Sequence, residues 1–177
     1  MSKIPDDARR ETWDSVCEDS KKLASMIEES CAKNGERFDA ILVIARGSYY
    51  PVNIVSRELD FQATDMLHVS MRSYVVGSKK QEEFKLGQMP DKSQIDGKNL
   101  LIIDEVCDTG RTFEYLTKWL KDQGAALVRT GVLHYKEGMS ATGFVPDWFV
   151  VKTDEWIVYP WEVVEYEGKE THVKRRG

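Results

Sequence analysis

The sequence predicts an α/β fold with a mainly parallel central sheet flanked by helices, on three observations. Short apolar runs rich in β-branched residues, FDAILVI at 38–44 and LLII at 100–103, show no polar alternation, which is the pattern of strands buried on both faces. Each run passes through a short turn of small and polar residues into apolar residues at helical spacing. Repetition of such strand–loop–helix units requires parallel pairing with right-handed crossovers.

At 177 residues the chain suits one domain with an ordinary core, and 41% hydrophobic with 31% charged residues describes a folded, water-soluble protein rather than a disordered one. No apolar run approaches the ~20 residues of a membrane span, and the opening MSKIPDDARRETWD has no apolar core, so neither a membrane segment nor a secretory signal is expected. Cys17, Cys31 and Cys107 form no CxxC pair, which points to free thiols in a reducing, cytoplasmic compartment. A net charge of −5 gives no reason to expect a nucleic-acid partner, and the basic end at 174–176 reads as a solvated tail, as does Arg9-Arg10 as surface.

In chain order, residues 1–12 read as a polar arm or a short edge strand. A helix follows. Ser15 to Glu18 fits its capping box, with Asp14 as the alternative cap; Val16, Ser20, Leu23, Ile27 and Cys31 share one face, and Gly35 ends it. The strand at 38–44 leads through ARGSYYP into a helix over 52–59, with Pro51 in its first turn. Residues 66–72 form a third strand. The polar stretch 73–98, with a hairpin pairing at about 82–87, is either a lid or a surface insertion. Residues 126–135 and 146–151 supply the fourth and fifth strands of the order, apart from the strand at 100–103. Segment 153–162 is dense in aromatics, suited to core packing or to a wall against a flat ligand. Residues 163–177 read as a last strand or arm and a charged tail.

The chemistry concentrates in NLLIIDEVCDTGRTFEYLTKWL, residues 99–120. A buried strand ends in two acids, Asp104 and Glu105. Asp108 to Thr112 then opens a helix whose face is Phe113, Leu116 and Leu120, widened by Tyr115 and Trp119. Amides of a first helical turn have no intrahelical acceptor and the helix dipole is positive there, so the turn suits a phosphate; the acids suit sugar hydroxyls or a metal. A ribose phosphate satisfies both. The chain carries neither GxxxxGK[ST] nor GxGxxG, which sets aside the two common nucleotide loops. Arg46, Gly47 and Ser48 sit at the carboxyl end of another strand, where open parallel sheets bind ligands, although an ordinary turn is an equal reading. His68, His134 and His172 form no ligand spacing, and His134 reads as a structural residue of a strand. Cys107 lies inside the motif with no base beside it to make it a nucleophile.

These residues also carry a resemblance. LLIIDEVCDTGRT resembles the ribose-phosphate signature of the type I phosphoribosyltransferases, and VIARGSYYP resembles the pyrophosphate loop of purine-salvage members. SMRSY with the polar stretch after it lies where they carry a mobile lid. Lys136 followed by DEWIVYPWE is similar to the base-binding end of bacterial xanthine-guanine (hypoxanthine) phosphoribosyltransferases. The likeness spans about 38–162.

The resemblance implies the type I fold in one domain, 1–177. Its core would run over about 36–152, its mobile loop over about 73–98, and a small hood would be built from chain-end segments at about 153–166. It implies Mg²⁺-dependent transfer of the phosphoribosyl group of 5-phosphoribosyl-1-pyrophosphate to N9 of a 6-oxopurine, and a homodimer or homotetramer. Asp104 and Glu105 would hold the ribose hydroxyls with the metal close by. Asp108, Thr109, Gly110, Arg111 and Thr112 would wrap the 5′-phosphate, and Asp108 would handle a proton at N7. Arg46 and Gly47 would bind pyrophosphate, through a strained or cis peptide entering Arg46. Lys136 would meet the 6-oxo group, Trp156 would stack on the base and the Ile157 backbone would meet its 2-substituent. Three departures stand out: Glu105 where many relatives have Asp, Arg111 where the guanine-xanthine type has Gly, and Glu162 for the Asp of a PWD pattern thought to approach the metal. Two alternatives remain: transfer to a different base, against which Lys136 and Trp156 argue, and a non-catalytic binder of the donor or a nucleotide acting as a regulator.

Overall fold

The computed structural model describes residues 4–76 and 81–162. Its main sheet has six strands in the order β4-β3-β2-β5-β6-β7. These are β2 (Ala40–Ala45), β3 (Met66–Val76), β4 (Gln81–Leu86), β5 (Asn99–Cys107), β6 (Leu127–Tyr135) and β7 (Trp148–Lys152). Pairing is parallel except between β3 and β4, which form an antiparallel hairpin. β1 (Arg9–Arg10) and β8 (Ile157–Val158), from the two ends of the described chain, make a second, two-stranded parallel sheet. This is the small hood. Residues 163–177, with the expected last strand and His172, lie outside the described residues.

The central strands are apolar throughout because both their faces are covered. Leu100 and Ile102 of β5 pack with Leu42, Phe113, Leu116 and Leu120 on one side. Leu101 and Ile103 pack with Ile41, Val43, Leu23, Ile27 and Val55 on the other. The period-2 alternation of a strand thus divides one apolar run between two cores. Helices α1 (Trp13–Asn34) and α2 (Tyr49–Glu58) cover one face; α3 (Lys92–Ile95) and α4 (Arg111–Asp122) cover the other. Among the described residues no helix is long and apolar enough to cross a membrane.

Several boundaries differ from expectation. Helix α1 is capped by Thr12, not by Ser15 or Asp14: the Ser15 amide donates to Thr12 Oγ1 (3.0 Å) and the Thr12 amide to Ser15 Oγ (2.9 Å). Ser15 takes the place at N3 that the usual box gives to Glu or Gln, which hides the box from a sequence pattern. Helix α2 starts at Tyr49, so Pro51 lies in its first turn, where an amide would have no intrahelical acceptor to lose. Between 73 and 98 the chain is largely regular: β3 runs on to Val76, β4 pairs with it, and α3 buries Ile95 in the core. The hairpin is the pairing expected at about 82–87, whereas α3 was not foreseen.

Ile103 is fully buried, and a methyl group added at Gly131 would lie 2.9 Å from its Cδ1. Ile103→Ala leaves a cavity in a sheet centre that cannot collapse, and should cost about 2–5 kcal/mol. Urea unfolding of both proteins measures this; a loss well under 1 kcal/mol would mean the site relaxes to fill the void.

Candidate active site

Parallel pairing of β2, β5 and β6 brings three loops to one end of the sheet, because every parallel strand ends on the same side. Arg46 and Gly47 follow β2, Asp108 to Thr112 follow β5, and Lys136 follows β6. The peptide entering Arg46 is cis.

Asp104 and Glu105 are half-buried in the last residues of β5. The Glu105 amide donates to Asp104 Oδ1 (2.9 Å). Burial, and then the Glu105 charge, hold the Asp104 carboxyl well above the usual carboxylate range. Glu105 Oε2 is buried without a hydrogen-bond partner among the described residues. A Cβ at Gly47 would lie 1.9 Å from Glu105 Oε1. The Glu105 carboxylate thus lies directly against Gly47, which brings the loop after β2 into contact with the end of β5.

The turn after β5 lines a cavity of about 360 Å³ with Asp104, Asp108, Thr109, Gly110 and Thr112 on its wall. Gly110 caps α4 at φ 79°, a left-handed conformation that favours glycine, and no side chain caps the helix amides. Arg111 begins the helix, half-buried. The turn is braced from outside: the Ala141 amide donates to the Thr109 carbonyl (3.0 Å), and Thr142 and Phe144 close on Gly110. No sequence signal marked this brace. Cys107 is buried; burial, then Asp104 and Asp108, push its thiol up to about 12, so it is no nucleophile at neutral pH.

Lys136 joins the turn to the hood. Its amide donates to the Cys107 carbonyl (2.9 Å), its ammonium lies 3.8 Å from Asp108 Oδ1, and it sits 5.9 Å from the centre of the Trp156 ring. Trp156 is 44% exposed, so an aromatic face is open beside a cation and a carboxylate. Ile157 is buried in β8, held by donation from the Arg9 amide to the Trp156 carbonyl (2.8 Å). In the aromatic segment Trp156 faces outward, while Tyr159 stacks on Trp161. Glu162 accepts the Tyr159 amide at Oε2 (3.0 Å), an engagement the sequence did not suggest.

The site's underside was not foreseen. The Tyr159 hydroxyl donates to the Glu105 carbonyl (2.9 Å) and lies 2.9 Å from His134 Nδ1. His134 Nε2 faces Glu11 Oε1 at 3.2 Å. Glu11 also pairs with Arg9, which is therefore not merely solvated surface. Tyr159 is pushed well above the ordinary phenol range by burial and then by Glu105, Asp104, Glu11 and Glu162 around it.

Comparison with known proteins places this fold and its three loops in a family. The phosphoribosyl transferase domain matches residues 12–167, and the chain belongs to that family. A xanthine-guanine phosphoribosyltransferase of Roseobacter denitrificans is 30% identical over 166 residues, covering 86% of this chain and 84% of the relative. The crystal structure of a purine phosphoribosyltransferase from Pyrococcus horikoshii superposes with a TM-score of 0.68 at 26% identity, over 95% of this chain and 98% of that one. A xanthine-guanine-hypoxanthine phosphoribosyltransferase of Helicobacter pylori shares the fold, with a TM-score of 0.71 at 22% identity, over 90% and 96% of the two chains.

The raised Asp104 has a measurable consequence. Unfolded, its pKa is about 3.9; folded, it is higher. Above pH ~4 the unfolded chain has released a proton that the folded protein still holds, so stability falls as pH rises toward the folded value. In metal-free buffer Asp104→Asn should therefore raise Tm at pH 7, with the gain vanishing near pH 4. Scanning fluorimetry with a chelator checks this, and a Tm at pH 7 below that of the parent would refute it.

Proposed function

We propose that this protein is a cytoplasmic, single-domain enzyme of purine salvage. It transfers the phosphoribosyl group of 5-phosphoribosyl-1-pyrophosphate to N9 of a 6-oxopurine, releasing pyrophosphate. The observation that carries the reading is Lys136, placed between the Asp108 carboxylate and the open Trp156 ring. An ammonium there suits a 6-oxo group as acceptor and disfavours an amino group, which would present its own hydrogens. The ring suits a flat base, and the Ile157 backbone would meet its 2-substituent. The names of the relatives point to the same substrates.

The 5′-phosphate would lie in the turn of Asp108 to Thr112, against uncapped helix amides and with Arg111 adding positive charge. Arg46 and the Gly47 backbone would take the pyrophosphate. Asp104 and Glu105 would hold the ribose hydroxyls. Their fit to Mg²⁺ rests on the orphaned Glu105 Oε2 and on an all-oxygen donor set, which suits a hard divalent ion. Asp104 and Glu105 would hold the ion, with Glu162 a third candidate through whatever its Tyr159 contact leaves open. When bound, Mg²⁺ supplies charge neutralisation for the departing pyrophosphate.

Asp108 would take or share the N7 proton as N9 attacks the anomeric carbon and the bond to pyrophosphate breaks. Lys136 orients the base, and the segment at 73–98 would exclude water as a lid. We further propose that the protein works as a homodimer or homotetramer, without a nucleic-acid or membrane partner.

Incubation of the protein with 5-phosphoribosyl-1-pyrophosphate, Mg²⁺ and each of guanine, xanthine, hypoxanthine, adenine and uracil should give nucleotide from 6-oxopurines. No product with any purine sinks the reading. Lys136→Ala should raise the KM of the base on the order of 10- to 100-fold while the donor KM changes little, as for loss of a charge-assisted contact. Equal losses toward both substrates would remove Lys136 from base recognition. Asp108→Asn should lower kcat by 10²-fold or more, on the order expected for general acid–base groups; an unchanged kcat would remove its proton role.

A further inference from the structure

We propose that Tyr159 and His134 are positioning residues for the ribose site: the buried pair fixes the peptide carbonyl of Glu105, and with it the acid pair. This deepens the reading above, since it rests on the acids meeting the ribose donor.

The groups are polar and buried: His134 is 0% and Tyr159 2% exposed. Burying such groups is costly unless they find partners, and the tyrosine hydroxyl has two. The tyrosine hydroxyl has a single proton. With that proton given to the Glu105 carbonyl, its oxygen is left to accept from His134 Nδ1. Nε2 lies 3.2 Å from Glu11 Oε1 without a hydrogen bond, and that carboxylate is held by Arg9 and the Ser15 hydroxyl instead.

The point of attachment is where β5 needs support. The ladder between β5 and β6 pairs Asp104 with Val132 and Val106 with His134, and passes over Glu105. Its carbonyl goes to the Tyr159 hydroxyl instead. Above that peptide, the Glu105 side chain is confined by Gly47. The residue is thus fixed by its backbone from below and by the pyrophosphate loop from above. His134 lies on β6 and Tyr159 follows β8, so the sheet and the hood converge on one peptide of the ribose site.

Tyr159→Phe keeps the ring and its stacking on Trp161, 4.7 Å away and 6° from parallel, and removes only the hydroxyl. Calorimetric titration with 5-phosphoribosyl-1-pyrophosphate and Mg²⁺ should show donor binding weakened on the order of tenfold, the scale found when a group orienting a ligating residue is lost. Binding or KM of the base should stay within about twofold. His134→Asn puts an amide N–H near the place of Nδ1 and should retain donor binding; His134→Leu should lose as much as Tyr159→Phe.

If Tyr159→Phe lowers Tm but leaves donor affinity unchanged, or weakens base and donor alike, the residues are structural only and the proposal fails. If His134→Asn loses as much as His134→Leu, the Nδ1 link is wrong. Should His134→Leu not fold, Tyr159→Phe and His134→Asn still decide. Donor binding without turnover by the parent protein would fail the reaction but leave this test intact, whereas a parent that binds no donor defeats both.

Discussion

Two carboxylates on consecutive residues at the end of a buried strand are the constraint on which the site depends. Asp104 and Glu105 repel one another at short range and are half removed from water, so the ionised pair is a standing cost to the folded protein. The surrounding groups are of the kind that offset it. The uncapped start of α4 presents positive dipole ends, Gly47 lets backbone approach where a side chain could not, and Lys136 lies beside Asp108. On the proposed function, a cation and sugar hydroxyls would relieve the same cost, so the acids would trade stability of the empty protein for ligand binding.

Strand order decides who sits around that pair. With β5 between β2 and β6, its carboxyl end has a parallel neighbour on each side. The register Val43↔Ile103↔Gly131 brings all three loops to the same height. The apolar alternation that divides β5 between two cores holds this register firmly, because a slip of one residue would exchange the two faces. Core packing and site geometry are therefore one requirement: the layers that bury Ile102 and Ile103 also aim Asp104 and Glu105.

The hood closes the site from the other side. It belongs to no part of the main sheet, yet Lys136 lies beside the Trp156 ring at one point and Tyr159 reaches the Glu105 carbonyl at another. The second contact spans 54 positions of the chain. A sheet of only two short strands is marginal alone. Here it is stabilised by the aromatic stack of Tyr50, Trp161 and Tyr159 and by the buried polar pair beneath it.

The sequence by itself determined the α/β class, the strands at the sheet's centre, the acid pair and the turn that opens α4. Each is local: an apolar run, its polar terminus and a glycine in the turn lie within about twenty residues, the range over which periodicity and capping act. Arg46, Lys136 and Trp156 were legible as candidates through their strand ends and through resemblance to a family. Only the tertiary structure decided how they meet. That Gly47 lies against the Glu105 carboxylate, that Ala141 and Thr142 brace the turn, and that His134 and Tyr159 support the Glu105 peptide are contacts between distant segments. Thr12 as the true cap was hidden for a smaller reason, a serine doing the work of an acid. A buried polar residue looks in sequence like any polar residue; only packing reveals whether water or another side chain satisfies it.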